Sequence, residues 1–543
     1  GALSRRWMRQ CMTQLAASDE DAPHIRAYAD LVYSEPSDLM VFGPDGRYEV
    51  MPSLQGVRAG DKTSSHAFQY ALQCALLPVM KQWEEDGLLA ELYCYMDDLT
   101  ATCSDWASVE RIVADLTKAL AVAGLSINVT KSTVLCPVGA PQYSNDILGV
   151  PVVAANHYFR VLGGNITSVY KYEDGSDFVE EKIKKDDAFF DLLIDLSPDM
   201  HPQVLFSMLR LCGAGKLVFL CSTAPPDIAK PICHAFDRNV QRVVKLLVGV
   251  DETHDLTSLS KQLITDRAGL AMPNYTTSHT PLYLTAKKFA ENKSPKAKRQ
   301  FVPLITNERD SPTLDAQLGT WANRWMFFGG GAKTMSHSHF KIALAIRIRV
   351  NPFNTPLGYH CGCHKKITTD VSFIEHTLKC PVASKYGFDK RHDGVKRALF
   401  NTARRYDIGA TDEPSYYVYD DRKKNRPDIT FYTHNPTVID VTIVFPGTLY
   451  GDKAAKAARE KIKKHRAAVA KFGHHFVPFV LETFGHFDKS CGTVINRLAT
   501  SLPRYLQYEF RQDMIHEAAT ALADGIATAV IAAHHHNTSA IPY

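Results

Sequence analysis

The sequence predicts an α+β chain of several domains, on three observations. Residues 90–103 alternate like a strand hairpin with a polar turn at the centre, inside a mixed helix and strand pattern that runs to about residue 165. Between about 175 and 250 the apolar residues fall at helical spacing in three runs, 179–196, 202–221 and 226–247, separated by Ser197-Pro198 and Pro225-Pro226. A second α/β pattern fills 386 to about 500 and gives way to an alanine-rich amphipathic helical tail. At 543 residues, 45% apolar and 22% charged, the chain can build about three or four cores.

The formal net charge is only +4, so overall charge does not argue for a nucleic-acid partner. Local runs matter more. One comprises Lys287, Lys288, Lys293, Lys296, Lys298 and Arg299, and a second Arg422, Lys423, Lys424 and Arg426. A third comprises Lys456, Arg459, Lys461, Lys463, Lys464, Arg466 and Lys471. Such runs are ordinarily solvated surface; their place beside the motifs below favours phosphate contact. The twelve cysteines are scattered and no signal peptide precedes them, which fits a reducing compartment better than a disulfide scaffold. No stretch reads as membrane-spanning, since even the apolar run 515–533 carries Glu517 and Asp524 and leads into His534-His535-His536. The chain opens on Gly1-Ala2-Leu3-Ser4-Arg5-Arg6, without an initiator methionine, and reads as a fragment.

The first chemical motif is Tyr95-Met96-Asp97-Asp98, in the turn of the 90–103 hairpin. Adjacent carboxylates on a tight turn repel unless water or cations neutralise them. Two divalent metals would do so, and nucleotidyl transfer uses such a pair, held by aspartate oxygens, to activate the attacking hydroxyl and stabilise the leaving phosphate. Asp97 is the expected direct ligand, with Asp98 beside it; an exposed Asp-Asp turn is the plain alternative. Upstream, Gln55-Gly56-Val57-Arg58-Ala59-Gly60-Asp61 precedes a helix expected over 63–77. Gly56 and Gly60 let backbone approach a nucleotide or template, and Gln55 can contact a base or sugar. Downstream, an amphipathic helix carrying Val109, Ile112, Val113, Leu116 and Leu120 is closed by Gly124. There follows Leu125-Ser126-Ile127-Asn128-Val129-Thr130-Lys131-Ser132, whose Lys131 can meet a triphosphate. Phe159-Arg160-Val161-Leu162-Gly163-Gly164 reads as a short hairpin.

In this order the four motifs resemble those of reverse transcriptases. The resemblance implies a right-hand polymerase palm over residues 1–170 and a helical thumb over 171–255. It also implies Mg2+ at Asp97 and Asp98, template or nucleotide contacts at Gln55, Gly56, Gly60, Tyr95 and Lys131, and deoxynucleoside triphosphates as substrates. The family usually has proline after the Gly-Asp pair, where this chain has Lys62. Its first metal-binding aspartate lies ahead of an element whose end resembles Ala2-Leu3-Ser4-Arg5, which would place it before Gly1. The expectation is therefore that the 543 residues alone do not polymerise, which primer extension reads directly.

Residues 256–355, with prolines, the first basic run and Gly329-Gly330-Gly331, read as a connector with some helix of its own. Next, Cys361-x-Cys363 and His376-x₃-Cys380 supply four soft ligands from two close pairs, the pattern of a closed, structural Zn2+ site. His360 and His364 compete for ligation. This predicts a CCHC zinc knuckle over 356–385.

In the second α/β unit, Arg426-Pro427-Asp428-Ile429 begins a strand, His434-Asn435-Pro436 turns it, and 438–444 returns. Asp428 and Asp440 then fall at the open end of one hairpin. An aspartate within β-branched strand residues is unfavourable without a charged partner, and Mg2+ is a suitable one. The layout resembles PD-(D/E)xK nucleases, which add a lysine that helps activate water. The expected lysine position holds Thr442, so the following helix would supply it, Lys461 first and Lys456 in reserve. This implies an α/β nuclease over 386–500, followed by a helical tail over 501–543.

The whole order, including Arg391-His392-Asp393 ahead of the nuclease strands, resembles the site-specific non-LTR retrotransposons with a restriction-enzyme-like endonuclease, among them those inserted in spliced-leader genes of trypanosomatids. The resemblance implies target-primed reverse transcription with element RNA and genomic target DNA as partners, in the nucleus, with no membrane partner. Two alternatives stand beside it, a non-catalytic nucleic-acid scaffold and a decayed element copy.

Overall fold

The computed structural model describes residues 3–18, 22–35, 37–42, 47–57, 64–136, 145–292, 321–327, 334–353, 358, 360–361, 363–419, 426–446 and 452–539. Gly60, most of the first two basic runs and Gly329-Gly330-Gly331 lie outside them. The chain divides into two compact units, Gly1–Ser176 and Asp177–Tyr543.

The first unit contains helices α1 (Arg5–Ser18) and α2 (Ala22–Tyr33), strands β1 (Ser37–Phe42) and β2 (Tyr48–Ser53), and helix α3 (Ser64–Glu85). Strands β3 (Ala90–Tyr95) and β4 (Asp98–Cys103) and helix α4 (Val109–Val122) follow. Five short strands complete it: β5 (Val134–Cys136), β6 (Asp146–Ile147), β7 (Val150–Ala154), β8 (Arg160–Val161) and β9 (Gly164–Asn165). Helix α3 organises this unit with two faces. Ala67, Ala71 and Ala75 recur every four residues and let α1 approach, where Met8 and Met12 pack. Leu72, Leu76 and Trp83 meet Ile112, Leu116 and Leu120 of α4. The expected end near residue 77 is overrun: the helix continues through Pro78 because Trp83 is buried against α4, its indole N–H donating to Asp115 at 3.0 Å. The short hairpin expected at 159–164 is β8–β9, closed by Leu162 and Gly163 at φ 49° and 85°.

The second unit begins with helices α5 (Phe178–Asp195), α6 (Pro202–Met208), α7 (Val218–Thr223), α8 (Pro226–Val248), α9 (Ser258–Thr265) and α10 (Tyr275–Asn292). The single helix expected over 202–221 is broken by a π turn, Leu209–Gly213, and then by Gly215; glycines have low helix propensity, and this pair sits where the chain turns. Phe190 and Phe236 stack edge to face, 5.0 Å between centroids, where α5 crosses α8. The connector is ordered where described: α10 packs on α7 and α8, and Asp237 of α8 accepts the N–H groups of Tyr275 and Thr276 at 3.2 and 2.7 Å.

Helices α11 (His337–Arg347), α12 (Asp370–Thr377) and α13 (Pro381–Arg405) precede strands β10 (Gly409–Asp412), β11 (Ile429–Tyr432), β12 (Thr437–Ile439) and β13 (Val441–Val444). Helix α14 (Asp452–Ala470), strands β14 (His475–Phe476) and β15 (Phe479–Glu482), and helices α15 (Lys489–Thr500) and α16 (Arg504–Ser539) end the chain. Strands β10, β11 and β12 pair antiparallel. Helix α14 then crosses over, so that β14 lies parallel to β12 and β15 parallel to β13.

Two segments, Pro202–Thr223 and Arg504–His535, have the length and apolar composition of bilayer-crossing helices, as core helices of folded domains also can. In the second, 72% of its apolar 18-residue window is buried, as in a core helix, and the helix packs along α13. That contact depends on Gly525: a Cβ there would lie 2.6 Å from Cα of Arg391. Gly525→Leu is therefore expected to push α13 from α16 and destabilise the unit by about 1–3 kcal/mol, read as a lowered melting midpoint.

Candidate functional site

In the first unit, Tyr95 pairs with Asp98, leaving Met96 and Asp97 as a two-residue turn. Met96 has φ 54°, a region costly for a side chain with Cβ, so the turn stores strain where the two acids stand. Gln69 of α3 steadies it, its amide nitrogen 3.0 Å from the Met96 sulfur. Tyr95, Asp97 and Asp98 are all exposed, and no third carboxylate among the described residues joins the pair as a metal cluster. Gln55 is exposed in the loop ahead of α3, and Gly56 has φ 72°. The buried Arg5 holds this loop, donating to the carbonyls of Ser53 at 2.6 Å and Gly56 at 3.1 Å. Lys131 is exposed in a turn after α4, its backbone N–H donating to Asn128 at 3.0 Å. Gly60 lies outside the described residues.

The Cys/His cluster is assembled by a loop and two helix ends. Cys361 and Cys363 flank a tight turn in which His364 donates its N–H to Cys361 at 2.7 Å. His376 lies in the last turn of α12, and Cys380 caps α13. The ligand atoms of Cys361, Cys363, His376 and Cys380 all lie within 4.8 Å of one another, and neither His360 nor His364 belongs to the set. The Cys361 and Cys380 sulfurs are 3.7 Å apart, too far for a disulfide. A tetrahedral ion with ~2.3 Å metal–sulfur bonds separates two thiolates by about 3.8 Å, so the arrangement fits such an ion. Cys363 sulfur and His376 Nε2 stand 3.3 Å apart. Burial pushes the Cys361 thiol up to about 11, so a bound cation is what would hold it as thiolate.

The third site lies where β12 passes into β13. The pairing of Ile429 with Ile439 puts Asp428 and Asp440 at the same end of the hairpin. Asp440 is 4% exposed. Its Oδ1 accepts from Lys461 Nζ of α14 at 2.7 Å, while His465 Nε2 stands 2.7 Å from Oδ2, off the line of a well-formed hydrogen bond. Burial pushes the Asp440 carboxyl up, but His465 and Lys461 outweigh it and hold the group below its ordinary value. Tyr419 in turn holds His465, hydroxyl to Nδ1 at 2.5 Å.

Asp428 accepts the Val441 N–H at 2.6 Å and lies 3.1 Å from His392 Nε2 of α13. His392 Nδ1 is 3.2 Å from Asp393. The bond to Asp428, against the opposing effect of burial, raises His392 to about 9, so it faces the site as a cation at neutral pH. Thr442 is half-buried with a hydroxyl that finds no hydrogen-bond partner, and Lys456 is exposed. Of the two lysines considered, it is Lys461 that reaches Asp440.

Sequence reasoning missed two residues here. His465 is signalled only by its i+4 spacing from Lys461. Glu482, at the end of β15, is fully buried with no well-formed hydrogen bond to either carboxylate oxygen, the Ala454 backbone and Lys453 offsetting that burial only in part. Burial, then the charge of Asp452, raises it to about 7 from 4.5. An acid raised on folding keeps a proton that the unfolded chain releases, so stability falls as pH climbs from 4.5 through about 7. Glu482→Gln is expected to be nearly neutral at pH 4 and to stabilise by on the order of 2–3 kcal/mol at pH 8, measured by denaturant unfolding at both values.

Comparison with known proteins bears on the first of these sites. No curated protein matches the chain. The family model for reverse transcriptase (RNA-dependent DNA polymerase) matches residues 15–166, which span the Gln55-Gly56 loop, the Met96-Asp97 turn, Lys131 and the β8–β9 hairpin. Such a domain implies an RNA template, deoxynucleotide substrates and dependence on Mg2+. The first unit of this chain carries a reverse transcriptase domain.

Proposed function

We propose that this chain is a retrotransposon protein that joins a DNA-nicking endonuclease to its reverse transcriptase domain, which is expected to need a further metal-binding aspartate for synthesis, and that the two serve target-primed reverse transcription in the nucleus. The nuclease nicks genomic DNA, and the freed 3′ hydroxyl primes synthesis on element RNA. The observation that carries the nuclease half is the Lys461–Asp440 contact at 2.7 Å, at the same hairpin end as Asp428. A lysine from the crossover helix stands in for the one that Thr442 displaces from the strand.

Asp428 and Asp440 would hold Mg2+; as hard oxygen donors they suit it, and this ion usually keeps several waters and takes one or two carboxylates with the remainder from substrate phosphate. Bound there, Mg2+ supplies Lewis acidity at the phosphorus and a more acidic water. Lys461 is placed to orient the attacking water and offset charge on the phosphate. His392 keeps the Asp428 carboxylate turned toward the hairpin end. In the first unit, Asp97 and Asp98 would hold Mg2+ for nucleotidyl transfer, with Gln55, Gly56, Gly60, Tyr95 and Lys131 serving template and nucleotide. The Cys361, Cys363, His376, Cys380 cluster would hold Zn2+ in a structural role.

Nicking of supercoiled plasmid in Mg2+ tests the reading. The intact chain is expected to convert it to the open circle and Asp440→Ala to abolish conversion. Absence of nicking by the intact chain, or nicking indifferent to Asp440→Ala, would return the second unit to the non-catalytic scaffold reading.

A further inference from the structure

One surface of the second unit is neither the hairpin end nor the Cys/His cluster. Tyr416, Tyr432 and Phe472 gather there at 38%, 46% and 44% exposure. Single exposed aromatics are ordinary, but three together leave apolar area in water that folding did not need to leave. Their foundation is the buried Tyr417, packed with Val438 and Val469 and hydrogen-bonded to His474 Nδ1 at 2.7 Å and Thr430 at 3.1 Å. Tyr416 lies 4.5 Å and Phe472 5.2 Å from the Tyr417 ring, and 5.7 Å from each other. The Tyr416 and Tyr432 hydroxyls meet at 3.1 Å, and Tyr432 reaches Thr411 at 3.1 Å. The polar edges are thus tied down while the rings remain partly open, a rigid arrangement that costs little ordering when something stacks on it.

A cationic ridge leads to this patch. Lys453, Lys456, Arg459, Lys463 and Arg466 recur every three or four residues along the exposed side of α14, interrupted by Glu460, and exposed Lys471 immediately precedes Phe472. Cations that follow a backbone together with aromatics that receive bases are what unpaired nucleic acid requires. A duplex satisfies only the first requirement, because its base faces are already stacked on one another.

We infer that the Tyr416, Tyr432 and Phe472 patch, fed by the exposed face of α14, is a binding site for single-stranded nucleic acid. The inference does not depend on nuclease activity, since it rests on the aromatics and the ridge.

The test uses the full chain and an oligothymidylate of roughly 15 nucleotides carrying 5-iododeoxyuridine, with an oligouridylate arm carrying 5-iodouridine to separate DNA from RNA. Photocrosslinks mapped by mass spectrometry are expected on Tyr416, Tyr432 or Phe472 in one arm or both. This readout needs no variant and separates the patch from strand binding by the reverse transcriptase domain. A Tyr416→Ala, Phe472→Ala variant is expected to lose those crosslinks and to weaken single-strand binding at this site roughly tenfold, with binding of a duplex of equal length changed less than about twofold. Tyr432→Ala alone is the milder variant should the pair fail to fold. Crosslinks that avoid the patch in both arms, or equal losses for single strand and duplex, overturn the inference; the second result would leave a non-specific cationic surface, and the first a patch for a protein partner.

Discussion

Lys461→Met is expected to lower Mg2+-dependent nicking of supercoiled DNA by about 10²–10⁴-fold, while Lys456→Met, which removes one charge of the α14 ridge, lowers it by no more than about threefold. The two lysines lie on the same helix, but only Lys461 Nζ reaches Asp440, at 2.7 Å, whereas Lys456 points to solvent with the rest of the cationic ridge. When Lys461 is removed the Asp440 carboxylate still has His465 beside it, 2.7 Å from Oδ2, which should limit collapse of the site. The melting midpoint of Lys461→Met should therefore move far less than its rate, and this split separates a catalytic lysine from a structural one. Initial rates of open-circle formation, with unfolding followed on the same preparations, make the measurement. Equal losses for both lysines would assign the effect to DNA binding along α14 and remove Lys461 from the chemistry.

How much of this was legible in the sequence depends on how local each feature is. The Tyr95–Asp98 turn was legible because strand alternation and the turn are set by neighbours, and the pairing of Ile429 with Ile439 followed from a turn centred near Asn435. Lys461 was legible only as a choice between two lysines, because the register of a crossover helix on its sheet is set by packing, here of Ala454, Ala457 and Ala458 against Val444 and Val480. Glu482 was not legible at all. It sits in an apolar strand paired to β13 across a crossover, and nothing near it in sequence announces that it will be sealed from water. The break in 202–221 was hidden for a related reason: Gly213 packs on Phe189, and a Cβ there would lie 3.3 Å from its ring, a contact that helical periodicity does not encode.

The largest stability effect is expected at the Cys/His cluster. The intact chain should carry one equivalent of zinc, and Cys361→Ser with Cys363→Ser should lose it and lower the melting midpoint of the second unit by on the order of 5 °C or more. The size follows from what the cluster joins. His376 ends α12 and Cys380 begins α13, so one ion would tie a loop to two helices, at a point where Cys361 and Cys380 are also buried against Ala533 of α16. Metal-free, the cluster is joined only by weak thiol contacts, Cys361 to Cys380 at 3.7 Å and Cys363 to His376 at 3.3 Å, and burial keeps the Cys361 thiol protonated. Structural zinc binds finger peptides with an apparent ~10–16 kcal/mol, and even a fraction of that exceeds most single-contact losses. Nicking should fall along with stability, because α13, which starts at this cluster, carries His392 to Asp428. A chain that binds no zinc by elemental analysis, or that melts identically before and after chelation, would show that the four ligands close without a metal, and α13 would then owe its position to Gly525 and α16 alone.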